Sequence, residues 1–407
     1  MQRSRDSWKK DYFLILFGQG VSLISSGILQ MSIIFYLTAK TGSAMVLSIA
    51  TLIGFLPQAL IGPLAGVFVD RHSRKRVMIG ADVIIAVAGG LLVIVTLFME
   101  LPVWVIMVVL FVRSLGTAFH SPALNASTPL LVPEDQLTKC AGYSQTIQAV
   151  GSIASPAVAA FLYTIWDLNQ IILLDIAGTI LACIFVAIIV IPNPDSNKND
   201  RKEKVMQELK AGFMVLKESS GLFALLWIGA IYMFFYMPIS ALYPLMSMSY
   251  FDGTPIHASI AEIAFAIGML VGGVILSLWG GFKKRTFTIG ASILVMGIGV
   301  AISGILPPNV FIGFVICCTV MGGSAPFYSV QNALFQEKIK PEYLGRVFSL
   351  LGSVMSFTMP LGLLFSGLFA ERIGVEKWFF VSGIGIISLS ILVFVLPVVQ
   401  SLDNHTT

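Results

Sequence analysis

Four ionisable residues, Asp82, Arg113, Asp175 and Glu262, stand inside otherwise apolar runs of this chain. A charge in hydrocarbon costs several kcal/mol unless it is paired or lines a polar path, so each marks a site where chemistry is possible. Two kinds fit: a buried ion pair that fastens helices together, or a carboxylate that takes up and releases a proton. Counting the helical rise from the ends of each run puts Arg113 roughly 15 Å deep, Asp175 about 10 Å from one edge and Asp82 about 7 Å from the other. Either acid is then within reach of the guanidinium. Glu262 is expected near a membrane surface, where its side chain reaches water. Other chemistry has no footing. The four histidines, His72, His120, His257 and His405, and the cysteines Cys140, Cys183, Cys317 and Cys318 show no metal-ligand spacing. There is no phosphate-binding G-x-x-x-x-G-K-[ST] loop and no G-x-S-x-G elbow. No metal, no cofactor and no enzymatic activity is expected.

The elements that must hold these groups are membrane helices. Of the chain, 57% is hydrophobic and only 11% charged, with mean hydropathy +0.90, against about 25% charged residues in soluble domains. Apolar runs bounded by polar, proline or glycine breaks fall at 12–38, 44–69, 77–99, 103–125, 139–163, 168–192, 221–246, 258–280, 286–306, 309–331, 343–369 and 377–400. They are continuously apolar rather than alternating, which argues for an all-α integral membrane protein of twelve spans and against a β-barrel. Lysine and arginine cluster in alternate loops, including the Arg71 to Arg76 and Lys283 to Arg285 groups, whereas the opposite loops hold Lys40, Arg372 and Lys377. The positive-inside rule then gives N-in, C-in. The first apolar run is too long for a signal peptide and has no small-residue cleavage site, so it is expected to be retained.

A polar stretch at 193–220 separates an N-terminal bundle, 1–192, from a C-terminal bundle, 221–407, with six spans in each. Within it Val205, Leu209, Phe213 and Leu216 repeat at helical spacing, as in an amphipathic helix lying on the inner membrane face. The halves echo one another at a nearly constant offset. Asn125-Ala126, Pro133-Glu134 and Pro156 are matched by Asn332-Ala333, Pro341-Glu342 and Pro360, and Arg74 to Arg76 by Lys283 to Arg285. This suggests two six-helix bundles related by pseudo-two-fold symmetry. Polar side chains gather on one face in every third span. They are Gln19, Ser22, Ser26 and Gln30 in the first, Arg113, Thr117 and His120 in the fourth, Tyr232, Tyr236 and Tyr243 with nearby Phe235 in the seventh, and Cys317, Ser324, Tyr328 and Gln331 in the tenth. Such faces either line a cavity or hydrogen-bond between packed helices.

The loop after the second span reads Gly66-x-x-x-Asp70-Arg71-x-x-Arg74-Lys75, which resembles the signature of the major facilitator superfamily. Twelve spans, a central linker and parallel halves are similar too. The stretches GQGVSLISSGILQMSIIFYLTAKTGSAMVLSIA, SLGTAFHSPALNASTPLLVPEDQLTKCAGYSQ and FQEKIKPEYLGRVFSLLGS look like the bacterial macrolide-efflux proteins of that superfamily. The resemblance implies proton-driven export of fourteen- and fifteen-membered macrolides through the bacterial cytoplasmic membrane. It also implies a gate in which Asp70, with Arg71 and Arg74, meets the start of the eleventh span. Gly151-x-x-x-Ser155-Pro156-x-x-Ala159-Ala160 is similar to the superfamily's antiporter motif, with three glycines replaced by serine or alanine. Ser73 stands where the family loop carries glycine. On this reading Asp175 is the proton-sensitive group, Arg113 is its charge partner, and Asp82 and Glu262 are further carboxylates of the coupling path. The polar and aromatic faces form the drug cavity, and the expected partners are the drug, protons, membrane lipid and a separate soluble ATP-binding resistance protein. An exporter of other amphiphiles or lipids, and a non-transporting scaffold or receptor, are the alternatives.

Overall fold

The computed structural model describes residues 7–133, 136–191 and 213–405. Twelve helices are long and apolar enough to cross a membrane, and no strand occurs among the described residues. The first six are α1 (Ser7–Thr41), α2 (Ala44–Arg71), α3 (Arg74–Phe98), α4 (Val103–Leu131), α5 (Leu137–Ile165) and α6 (Leu168–Ile188). Then follow α7 (Ser220–Leu245), α8 (Pro255–Trp279), α9 (Arg285–Ile305), α10 (Phe311–Tyr328), α11 (Val330–Lys338), α12 (Pro341–Ile373) and α13 (Val375–Val395). The short α14 (Pro397–Gln400) leads into a 3-10 turn, Ser401–His405.

Local chemistry explains the boundaries. In α6 and α8 the third residue reaches back to the cap: Gln170 Oε1 accepts from the Asp167 amide at 3.1 Å, and His257 Nδ1 from the Thr254 amide at 3.1 Å. Gly280 ends α8 at φ 76°, a left-handed conformation that side chains with a Cβ adopt at a cost. Interior prolines remove helical hydrogen bonds at identifiable points. Pro244 precedes a π-helical turn, Met246–Tyr250. Pro326 precedes the break at Ser329, beyond which α11 continues the span to Lys338, past the 331 end expected from hydropathy. Of the linker helix, Val205 and Leu209 lie outside the described residues; Phe213 is exposed and Leu216 buried.

Contacts divide the chain into two compact units. The first contains α1 as far as Lys40 and α2 from Ala50 onward, through α6. In it α3 packs on both α4 and α6, and α5 lies close against α1: a Cβ at Gly151 would meet Leu23, and one at Gly27 would meet Ser155. The second unit contains Thr41–Ile49 and α7 onward. There the Ser48 and Ser366 hydroxyls lie 3.0 Å apart, and Glu371 Oε2 accepts from Ser43 Oγ at 2.9 Å and from the Met45 amide at 3.2 Å, capping the start of α2. Its α8 and α10 meet through bare backbone, since any Cβ at Gly268 or Gly272 would strike the carbonyls of Thr319 or Gly323. Small residues let membrane helices approach this closely.

Candidate functional site

In the first unit the charged groups sort into two clusters. Arg113 on α4 reaches Asp175 on α6, Nη1 to Oδ2 at 2.5 Å, and the Asp175 side chain is 1% exposed. Two hydroxyls from α1 complete the carboxylate: Ser26 Oγ donates to Oδ1 at 2.7 Å and Ser25 Oγ at 3.4 Å. Arg113 Nη2 also donates to Ser26 Oγ at 3.3 Å. The guanidinium and two hydroxyls fill the acceptor positions of the carboxylate with charge-assisted hydrogen bonds. Close packing fixes the arrangement, because a Cβ on Gly178 of α6 would strike Ser25.

Asp82 does not join this pair. On α3 it faces His120 of α4, Oδ1 to Nε2 at 3.4 Å, and Cys183 of α6 lies on its other oxygen, Sγ to Oδ2 at 3.7 Å. Of the two acids expected within reach of the guanidinium, Asp175 pairs with Arg113 and Asp82 faces His120. The ends of α3 and α4 account for this. Asp82 lies eight residues from Arg74, where α3 begins, and His120 lies closer than Arg113 to Leu131, where the antiparallel α4 ends.

The loop bases do local work. Lys75 Nζ donates to the carbonyls of Ala187 and Ile189 at 2.5 and 2.9 Å, capping the end of α6, and Arg74 Nη1 donates to Ala126 O at 2.5 Å. Gly66 is half-buried within α2, and Asp70 and Arg71 close that helix. In the G-x-x-x-S-P motif, Ser155 Oγ donates to Ile24 O of α1 at 3.3 Å, Ala159 and Ala160 are buried, and Pro156 lies inside α5.

Several polar-face residues serve their own helices. Thr117 Oγ1 donates to Arg113 O at 3.0 Å and Ser324 Oγ to Met321 O at 2.8 Å. Gln30 is half-buried on α1, as is Gln19, whose Nε2 is enclosed without a partner.

The second unit holds an aromatic stack. Tyr232 lies between Tyr236, centroids 5.6 Å apart, and Tyr328, 4.8 Å apart. The Tyr328 hydroxyl and the Gln331 side chain are buried beside it, the hydroxyl and Gln331 Nε2 lying close to the position a Gly229 side chain would occupy and Gln331 Oε1 without a partner. Tyr243 is not part of this stack. It is buried among Phe265, Phe314 and Phe379 with its hydroxyl toward Met321 Sδ. Phe235 crosses Phe234 edge to face at 5.3 Å and packs over Gly385. Glu262 is half-buried on α8 within electrostatic reach of Tyr236, Tyr243 and Cys318, not a side chain simply extended to water. It makes no ion pair among the described residues.

Comparison with known proteins places this architecture. The chain is 59% identical over 399 residues to Macrolide efflux protein A of Streptococcus pyogenes, covering 98% of each. It is 60% identical over 323 residues to the Enterococcus faecalis protein of the same name, covering 79% of this chain and all 100% of that one. Among solved structures, the nucleoside transporter NupG superposes with TM-score 0.73 at 13% identity, covering 94% of this chain and 98% of NupG. A peptide transporter, POT, gives TM-score 0.74 at 13% identity, covering 97% and 95%. The Major Facilitator Superfamily model matches residues 15–363, and with twelve apolar helices behind that match the chain is a multi-pass membrane transporter belonging to this superfamily.

Proposed function

We propose that this protein exports macrolide antibiotics, of the fourteen- and fifteen-membered classes, across the bacterial cytoplasmic membrane in exchange for protons, and thereby confers macrolide resistance. The observation that carries this reading is the 59% identity to a macrolide efflux protein, which runs along essentially the whole of both chains.

The second unit supports a large amphiphilic substrate. The Tyr232, Tyr236 and Tyr328 stack offers flat apolar area and ring faces that attract a cation, and the buried Tyr328 hydroxyl and Gln331 Oε1 offer polar contacts. Glu262, near these rings, is the carboxylate suited to a basic amino sugar. We place the termini and the Arg74–Lys75 loop on the cytoplasmic side and assign gating to Asp70, Arg71 and Arg74 with alternating access between two states. A carboxylate at a helix N-terminus contributes roughly 0.3 to 2 kcal/mol, enough to bias such an equilibrium severalfold. Arg113, Ser25 and Ser26 all donate to Asp175, which suits it to the role of charge partner that holds α1, α4 and α6 together.

The deciding experiment is accumulation of labelled erythromycin in a drug-sensitive bacterium expressing the chain, before and after a protonophore. Low accumulation that rises to the vector level on uncoupling is expected. Accumulation at the vector level throughout, with the protein present in the membrane, overturns the macrolide assignment.

A further inference from the structure

Asp82 and His120 are poorly satisfied where Asp175 and Arg113 are well satisfied. The Asp82 residue is 4% exposed, yet the groups on its carboxylate are a thiol at 3.7 Å, a weak donor, and an imidazole at 3.4 Å. His120 Nε2 is buried and close enough for an ion pair, but it makes no hydrogen bond. An ionised carboxylate accepts up to about four hydrogen bonds. What this site lacks is a positive partner for the carboxylate, and a second proton on the imidazole would supply one.

We propose that His120 and Asp82, with Cys183 on the far carboxylate oxygen, form the site at which this transporter takes up its coupling proton, while Arg113 and Asp175 remain charged throughout the cycle. The inference rests on the proton-coupled export reading above. The step is a simple protonation. A neutral imidazole beside an ionised carboxylate carries one net negative charge within α3, α4 and α6; uptake of one proton gives imidazolium and carboxylate, with no net charge. No covalent bond other than N–H forms. Imidazole is the side chain whose ordinary titration falls between pH 5 and 8, whereas a guanidinium does not lose its proton.

The surroundings of His120 are consistent with this division of roles. On its own helix the nearest charge is Arg113, two turns away and committed to Asp175. From α3 it faces Asp82, and at the start of that helix Arg74 is held to Ala126 O. From α6 the titratable groups are Cys183, directed to Asp82, and the occupied Asp175. Just past the end of α2, His72 is stacked on Phe68, whose edge meets Phe119, and α1 presents the Ser25 and Ser26 hydroxyls to Asp175. Among the described residues of the first unit, His120 is thus the one imidazole set against a buried carboxylate.

The chain has four histidines, which makes the test direct. Protein labelled at histidine is reconstituted into nanodiscs, and its imidazole NMR resonances are followed from pH 5 to 9, with and without saturating erythromycin. His120→Gln identifies one resonance by its loss. That resonance is expected to titrate within the range, to move its midpoint by about half a unit or more when erythromycin binds, and to move to lower pH in Asp82→Asn, where the imidazolium loses its counter-charge. Asp175→Asn is expected to leave it titrating. A His120 resonance that stays in one protonation state from pH 5 to 9, or one indifferent to bound erythromycin, overturns the proposal. If erythromycin does not bind at all, the substrate reading fails instead, and the titration together with its Asp82→Asn shift still decides the protonation site. Should Asp82→Asn fail to fold, Cys183→Ser, which places a stronger donor on the same carboxylate, is expected to move the midpoint in the same direction.

Discussion

Arg113 and Asp175, 62 residues apart in sequence, meet at 2.5 Å with both side chains almost wholly buried. An isolated buried charge is far costlier than a pair. Removing one partner, as in Arg113→Met or Asp175→Leu, is expected to destabilise the protein by about 3 to 5 kcal/mol. The double variant Arg113→Met with Asp175→Leu is expected to be distinctly more stable than either single one. Thermal unfolding of the purified proteins in detergent, read as a double-mutant cycle, checks the order. If the double variant loses as much as the sum of the singles, the two residues are not acting as a pair. Where the double variant reaches the membrane, its erythromycin export is expected still to collapse with a protonophore, because the proposed proton site at His120 and Asp82 is intact.

Ser26 and Ser25 both touch Asp175 Oδ1, but at 2.7 and 3.4 Å, and Ser25 also donates to Ser22 O at 3.1 Å. A hydrogen bond to a charged group contributes about 1.5 to 3 kcal/mol. Ser26→Ala is therefore expected to lower stability by roughly that amount, and Ser25→Ala by clearly less, since its hydroxyl is shared with its own helix. Equal losses in the two melting curves would show that the shorter contact is not the stronger one.

Much of this architecture is legible in composition and periodicity. The twelve spans follow from hydropathy because lipid forces every backbone group into helix, and Arg113 and Asp175 stand out because charge in hydrocarbon is rare. The partner of Asp82 was harder to read. His120 shares the face of Arg113, and a helical wheel discards depth along the axis; counting from the ends of the antiparallel α3 and α4 is the signal that separates the two levels. The wheel also cannot tell a hydroxyl facing a cavity from one bonded to its own helix, as Thr117 and Ser324 are. Tyr243 shares an arc with Tyr232 and Tyr236 yet packs among phenylalanines, because which neighbour fills the space depends on α8, α10 and α13 together. The bases after α2 are visible as a charge cluster, but the use of Lys75 to cap α6 depends on where that distant helix ends.

The glycine seam between α8 and α10 gives a sharp contrast within two adjacent residues. A Cβ at Gly272 would overlap the backbone of Gly323, which cannot rotate aside, whereas at Gly273 the nearest atom is Pro326 Cγ at 4.0 Å. Gly272→Ala is expected to cost about 1 to 3 kcal/mol as the helices are pushed apart, and Gly272→Val more. Gly273→Ala is expected to be neutral or slightly stabilising, since alanine is the better helix former. Yield of monodisperse protein on size exclusion after graded heating separates them, and equal tolerance of Gly272→Ala and Gly273→Ala would mean that α8 and α10 are not in backbone contact.

Asp403, in the turn after α14, caps a helix more than a hundred residues earlier. Its Oδ1 accepts from the amides of Arg285 and Thr286 at 2.9 and 3.4 Å, and Oδ2 accepts from the Thr286 hydroxyl. These are among the first amides of α9, which have no partner within the helix, and a carboxylate there also meets the positive end of the helix dipole. Asp403→Ala is expected to lower stability by about 0.5 to 2 kcal/mol, and Asp403→Asn by less because the amide oxygen still accepts. Indistinguishable melting of wild type and Asp403→Ala at neutral pH would show that the C-terminal turn does not hold the start of α9.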